Sequence, residues 1–332
     1  MPAPAQSLRK PRLRPRLLAA LAGLTAVLLA GCGSSSSGAS SSGSGSVTTV
    51  TVGVIPIVDV APIYLGIKQG FFTKQGLELK LQTAQGGAAI IPGVVSGQYQ
   101  FGFSNTTSLL LAASKGLPLK AVSNGVASTG KTGADFGAVI VPADSPIHSA
   151  ADLAGKRVAV NTLQNINTTT VNKAVRDAGG DSSKIDYVEL AFPDIPAAVA
   201  KGDVDAGQVV EPFLTIAKQQ GMREVTSNYA ATDPQLTVGL YFTSLSYLQK
   251  NPDVVKKFTT AMQESLSYAD GNPEAARAVL SSYTKIDPAV QKAVTLPRWP
   301  SAIAKGSVST LATLATQDKL IAQPPDLTKL LP

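Results

Sequence analysis

Three acids and a few short polar clusters hold most of the chemistry this chain can offer. Asp59 and Asp194 lie in loops between strand-like and helical runs, and Glu211 ends a strand-like run just before Pro212. An acid so placed accepts hydrogen bonds from a ligand's amine, amidine or amide, or else it serves the positive end of a helix dipole. Facing a cleft, it disfavours nitrate or sulfate, because uncompensated like charge in a cleft is costly. Gly86-Gly87 lets the backbone approach a ligand closely, and equally makes a plain turn. Ser104-Asn105-Thr106-Thr107 supplies hydroxyls and an amide at a helix start, the same groups that cap a helix. Asn167 and Thr168, beside Asn165 in a long polar loop, carry the same pair of readings. Covalent chemistry has little to work with: Cys32 is the only cysteine and His148 the only histidine. That leaves little material for a zinc site or a Cys/His nucleophile pair, and no cofactor or metal is expected.

These residues need elements that bring them to one place. Strand-like runs are predicted at residues 47–55, 77–82, 99–103 and 119–122, with helices at 63–72, 88–96 and 107–115 between them. The rhythm restarts with strands at 138–141, 157–160, 187–191 and 206–210, and helices at 149–153, 168–178, 195–201 and 213–219. From about residue 239 only helices are expected, at 252–269, 273–284, 288–293 and 308–320. Repeated strand–helix alternation predicts an α/β fold whose mainly parallel sheets carry helices on both faces. The polar, glycine-rich interval 123–137 reads as a crossing between domains. In open α/β sheets ligands bind beyond the carboxyl ends of the strands. The loops 56–61, 85–88, 104–107 and 162–168 occupy such ends, and none contains an arginine.

Composition bounds the rest. Residues 9–16 carry five basic side chains ahead of an apolar run at 17–30, too short for the roughly 20 residues of a membrane span. That is an export signal. The chain has 29 Lys+Arg against 22 Asp+Glu; without the five basic residues and no acids of 1–31, 24 face 22, a charge of +2. The high net charge belongs to the leader and gives no reason to expect nucleic acid as a partner. Residues 33–46 are almost all Gly and Ser, a flexible tether of roughly 20 Å root-mean-square span. Phe71, Phe72, Phe101 and Phe103 read as core. Tyr64, one turn into the first helix, packs or reaches the cleft, Trp299 reads as a surface-packing residue, and His148 as exposed.

Leu29-Ala30-Gly31-Cys32 resembles the lipobox of bacterial lipoproteins, in which the peptidase cuts before the cysteine and its thiol carries a diacylglycerol. The other reading is an ordinary signal peptide that contains a cysteine. Further on, Ala61-Pro62-Ile63-Tyr64-Leu65-Gly66-Ile67-Lys68-Gln69-Gly70-Phe71-Phe72 and Gln75-Gly76-Leu77-Glu78-Leu79 look like the opening of substrate-binding proteins of nitrate/sulfonate/taurine-type ABC importers. Ser104-Asn105, Asp152-Leu153-Ala154-Gly155-Lys156-Arg157-Val158-Ala159-Val160, Gly202-Asp203-Val204-Asp205-Ala206 and Glu211-Pro212 follow in the family's order. Receptors for thiamin-pyrimidine precursors share these signatures. Where the family often carries a Gly-Ser turn facing the ligand, this chain has Asn165, Asn167 and Thr168.

The resemblance implies a two-lobed periplasmic-binding-protein-like fold (type II) that closes by a hinge on a small molecule and docks on a cognate permease and ATPase. Residues 1–31 would be the lipoprotein signal peptide and 32–46 the lipidated Cys32 and tether. Residues 47–137 plus 236–332 would form one lobe and 138–235 the other. The expected ligand class is a small organic sulfonate or amine of the taurine/alkanesulfonate type, with an aminopyrimidine as the alternative. The chain would be a monomer anchored by lipid to the extracytoplasmic face of the cell membrane. Pyrimidine-phosphate synthases share the fold, but they resemble a cysteine-cluster pattern with an active-site histidine that this chain lacks, so no enzyme is expected. A signalling lipoprotein with the same clamp remains a further reading. Asp59, Gly86, Gly87, Ser104, Asn105, Asn167, Thr168, Asp194 and Glu211 are the candidate ligand contacts.

Overall fold

A computed structural model describes residues 47–332; the leader, Cys32 and the Gly/Ser tether lie outside the described residues. Alternating valines at 50, 52 and 54 make strand β1 (Thr48–Val54), which is fully buried at all three. Strands β2 (Leu77–Thr83), β3 (Phe101–Asn105) and β4 (Leu119–Ala127) follow, each separated from the last by a helix. The chain then crosses to β5 (Gly137–Val141), β6 (Arg157–Val160), β7 (Asp186–Glu189), β8 (Ala206–Val210) and β9 (Arg223–Thr226). It returns as β10 (Thr237–Ser244) and ends in helices.

The strands form two five-stranded sheets, ordered β2-β1-β3-β10-β4 and β7-β6-β8-β5-β9. In each, β-strands run parallel except one: β10 is antiparallel to β3 and β4, and β5 is antiparallel to β8 and β9. The reversed strand is in both cases the first after a crossing, and it takes the fourth place in the sheet. The two crossing segments touch: Ser128 N donates to Leu236 O at 3.0 Å and Gly133 N to Ser227 Oγ at 2.8 Å. Asp135 secures the first of them, accepting from Ser128 Oγ at 2.6 Å, Thr129 N at 3.0 Å and Phe136 N at 2.9 Å.

The expected helix over 63–72 is two, Ala61–Lys68 and Phe71–Lys74, because Gly70 adopts a left-handed φ of 76° between them. Strand β10, which runs on to Ser244, corrects the expectation of helices alone from about residue 239, and β9 falls where no element was expected. β9 is short, half-buried and polar, so its pattern is faint. β10 is buried throughout, a run of β-branched and aromatic residues fitted between two other strands, which hides the alternation a half-exposed strand displays.

The long helix Pro252–Gly271 packs on the first sheet. Phe258 stacks on Phe101 with ring centroids 3.8 Å apart, and such a buried side chain contributes roughly 1.5–3 kcal/mol. The helix Lys305–Gln317 packs against Thr106–Ser114, behind the first sheet, and against Ile166–Asp177, beside the second. Just past its end, Asp318 Oδ1 holds Arg176 Nη1 at 2.6 Å and its Oδ2 accepts from Asn172 Nδ2 at 3.1 Å. The tail is therefore strapped to both lobes. Among the described residues no helix is long and apolar enough to cross a membrane.

Candidate ligand cleft between the two sheets

The carboxyl ends of both sheets meet around two adjoining cavities. The outer is a cleft of about 370 Å³. One wall is Ile55-Pro56-Ile57 after β1 and Thr83-Ala84-Gln85 at the end of β2; the other is Ala191-Phe192-Pro193-Asp194 after β7, with Phe213. Ligand pockets of 300–1,000 Å³ are typical for small molecules. Behind Ile55, Ile57 and Phe192 lies an inner chamber of about 30 Å³, enough for one or two non-hydrogen atoms. The first lobe gives it Asp59, Phe103 and Asn105; the second gives Asn161, Asn165, Asn167 and Tyr229. No lysine or arginine lines either cavity.

Asp59 sits in the short 3-10 turn Val58–Val60, is 3 % exposed, and its Oδ1 has no hydrogen-bond partner. Burial pushes its carboxyl up to about 7, opposed by a bond to its own backbone. The turn is held from behind. Trp299 Nε1 donates to the Asp59 carbonyl at 3.1 Å and the Tyr283 hydroxyl to the Ile57 carbonyl at 3.1 Å. Trp299 is thus not a surface-packing residue: it is 1 % exposed, because its indole fills the space under this turn. Tyr64 stacks on Tyr283 with centroids 3.9 Å apart and lines neither cavity.

The amides opposite form a chain. Asn165 caps the helix Ile166–Asp177, its side chain accepting from Asn167 N and Thr168 N. Asn165 Nδ2 and Asn167 Nδ2 both donate to Asn161 Oδ1, at 2.9 and 2.7 Å. The Tyr229 hydroxyl donates to Asn167 Oδ1 at 2.5 Å. Across the cleft, Asn105 caps its own helix through Ser108 N at 2.9 Å and also accepts from Ile166 N of the other lobe at 3.4 Å. Gly86 also comes close to the other lobe: a Cβ there would fall 2.5 Å from Thr162 Oγ1.

Asp59, Asn105 and Asn167 therefore line the inner chamber, Gly86 faces Thr162 of the other lobe without lining either cavity, and Asp194 stands exposed on the rim of the outer cleft without a capping bond. Four other candidates are not brought to the cleft. Gly87 packs inside its own lobe, where a Cβ would meet Ser104 Oγ at 2.2 Å, and Ser104 is fully buried beneath it. Thr168 completes the Asn165 capping box, accepting from Asn165 N at 3.2 Å. Glu211 is consumed by structure: its carboxylate accepts from Thr215 N at 3.0 Å, Thr215 Oγ1 at 2.8 Å and Thr295 N at 3.0 Å. Burial raises its carboxyl above the usual range, and those three bonds oppose the rise. His148 is exposed, and its backbone N–H donates to Asp152.

Asn161, Tyr229, Phe192 and Phe213 line the cavities without having been singled out. Asn161 ends the β6 run one residue before the loop, a signal that was present. Phe192 follows β7 as Asp194 does, and its ring lies 10° from parallel to Phe213, with centroids 6.2 Å apart. Tyr229 arrives from the distant helix Asn228–Thr232, and nothing local marks it.

Two sheets of this order, meeting at their carboxyl ends around a cleft, define the two-lobed periplasmic binding protein fold. A solved example is the alkanesulfonate-binding protein SsuA from Xanthomonas axonopodis pv. citri bound to MOPS, with a TM-score of 0.73, 17% identity, and coverage of 85% of this chain and 97% of that one. The chain belongs to the NMT1/THI5 like family, whose model matches residues 57–276. It is 24% identical over 204 residues to the taurine-binding periplasmic protein of Escherichia coli K12, covering 61% of each. Over 223 residues it is 24% identical to the formylaminopyrimidine-binding protein of Halalkalibacterium halodurans, covering 66% of this chain and 64% of that one. The 4-amino-5-hydroxymethyl-2-methylpyrimidine phosphate synthase of Aspergillus parasiticus is 23% identical over 230 residues, covering 65% and 64%. The match spans less than two thirds of the length of each of these curated relatives.

Proposed function

We propose that this protein is the extracytoplasmic solute-binding component of an ABC importer, closing two lobes on a small organic ligand that carries a hydrogen-bond donor. The lobes would be residues 47–137 plus 236–332 and residues 138–235, with the hinge in the paired crossings. The observation that carries the reading is the unpartnered Asp59 Oδ1, buried in a chamber walled by both lobes. A buried acid without a partner calls for a donor, and an amine of the taurine class supplies one. The outer cleft accommodates the rest of such a molecule. Cargo would pass to a cognate permease and ATPase from a monomer held at the membrane by lipid on Cys32. No catalytic step enters this reading.

A second ligand is favoured by one feature. Phe192 and Phe213 present near-parallel aromatic faces to the outer cleft, and no cation lines it, which suits an aminopyrimidine better than a sulfonate. A thermal-shift series with taurine, 4-aminopyrimidine, ethanesulfonate and nitrate tests both. The donor-bearing compounds should raise the melting temperature by mass action. Stabilisation by nitrate alone refutes the reading. Substituting Cys32→Ser should move the protein from the membrane fraction to the soluble one, and unchanged membrane retention would remove the anchor.

A further inference from the structure

One amide in the inner chamber has its orientation fixed twice over. Asn161 follows β6 directly and is 7 % exposed. The first constraint starts from the backbone. Asn165 Oδ1 accepts from Asn167 N at 2.9 Å and Thr168 N at 3.4 Å, and a backbone N–H can only donate. The atom that Asn165 turns to Asn161 is therefore Nδ2, and the atom receiving it is Asn161 Oδ1. The second constraint starts from Tyr229. Its buried hydroxyl donates to Asn167 Oδ1 at 2.5 Å. Asn167 Nδ2 then faces the same Asn161 Oδ1.

Both lone pairs of that oxygen are thus occupied from within the second lobe. Asn161 Nδ2 is turned the other way. It lies 3.3 Å from where a Cβ on Gly86 would stand, and it makes no hydrogen bond among the described residues. Nδ2 faces the first lobe across the gap that the ligand closes.

We propose that Asn161 is a specificity-determining residue, a donor that requires the ligand to carry a hydrogen-bond acceptor as well as the donor received by Asp59. This rests on the reading of the chamber as the ligand site. The ligand class is then two-sided: a sulfonate oxygen beside an amine, or a ring nitrogen beside an exocyclic amino group. A simple alkylammonium leaves the Asn161 N–H groups unpaired on closure, and a simple anion leaves Asp59 unpaired. Tyr229 and Asn165 are positioning residues for that amide.

Calorimetry on the wild-type protein and Asn161→Asp, with taurine and 4-aminopyrimidine as two-sided probes and ethylamine and ethanesulfonate as one-sided ones, tests this. The wild-type protein should bind a two-sided probe roughly ten- to a hundredfold more tightly than either one-sided probe. Asn161→Asp keeps the oxygen that Asn165 and Asn167 bond and replaces only the ligand-facing nitrogen. It should bring the two-sided probe down to the level of ethylamine without weakening ethylamine itself. Equal binding of a two-sided probe by variant and wild type overturns the assignment. A wild-type protein that binds none of the probes refutes the chamber as this ligand site, and the selection rule falls with it.

Discussion

The two lobes are built on one strand plan and do different chemistry. Each sheet has its second, first and third strands parallel, then one reversed strand, then the fourth. At the cleft the likeness ends. The first lobe offers a carboxylate among apolar side chains, held rigid by Trp299 and Tyr283 from the C-terminal tail. The second offers asparagine amides that orient one another, with a pair of phenylalanine rings outside them. Strand order is dictated by packing and chain connectivity, so it can be shared while the loops at the strand ends diverge. An acceptor on one jaw and a donor on the other mean that closure is fully rewarded only by a ligand that satisfies both.

The strongest way to break this division is Asp59→Asn. At neutral pH amine-bearing probes should bind about a hundredfold more weakly by calorimetry, as a charge-assisted bond is lost. The unliganded protein should melt no lower, since an unpartnered carboxyl gives way to a neutral group. The same residue imposes a pH dependence. Its carboxyl titrates at about 7 when folded against 3.8 ordinarily, so between those values the folded state binds more protons than the unfolded. Stability should therefore fall as pH rises from about 4 to 7, by on the order of 4 kcal/mol, and level off above. Binding of a cationic probe should tighten over the same interval. Denaturant melts across pH check the slope, which Asp59→Asn should reduce to what the raised carboxyls of Asp135 and Glu211 contribute.

Gly86→Ala sharpens the contact between lobes. Its new Cβ would fall 2.5 Å from Thr162 Oγ1, so probe affinity should drop about tenfold, for a strain of roughly 1–3 kcal/mol. An unchanged affinity by calorimetry would mean that this contact is not kept in the liganded protein. Asp318→Asn tests the strap outside the cleft. Weakening its bond to Arg176, partly open to solvent, should cost about 1–2 kcal/mol in a denaturant melt with the order of ligand preference intact. Glu211→Gln should have the smallest effect, about 1 kcal/mol of stability from a strained bond to Thr215 or Thr295. A selective loss of amine binding in that variant would return Glu211 to the ligand.

How much of this was legible depends on how local each signal was. Eight strands and the positions of four loops follow from period-two runs and the helices between them. β10 was hidden by its burial between β3 and β4, and β9 by its polarity. At the site, Asp59, Asn105 and Asn167 were readable because polar residues at strand ends have few uses besides capping and binding. Glu211 has the same signature, yet its role is decided by Thr295, far along the chain, which no local pattern reveals. Tyr229 and Trp299 escaped for the same reason: each acts on a residue that only the fold brings near.

The place of β10 also sets an order of assembly. All five strands of the second sheet lie between Gly137 and Thr226, so every partner they need is made within one stretch of chain. The first sheet has its initial four strands earlier, but β3 and β4 are not neighbours. Between them is a slot one strand wide, bordered by two rows of unpaired N–H and C=O groups, until Thr237–Ser244 arrives. Such open edges invite pairing with other chains, and a long-range closure is slow. The lobe that begins the chain is thus the last to be completed, and its period of risk is the time taken to make the other.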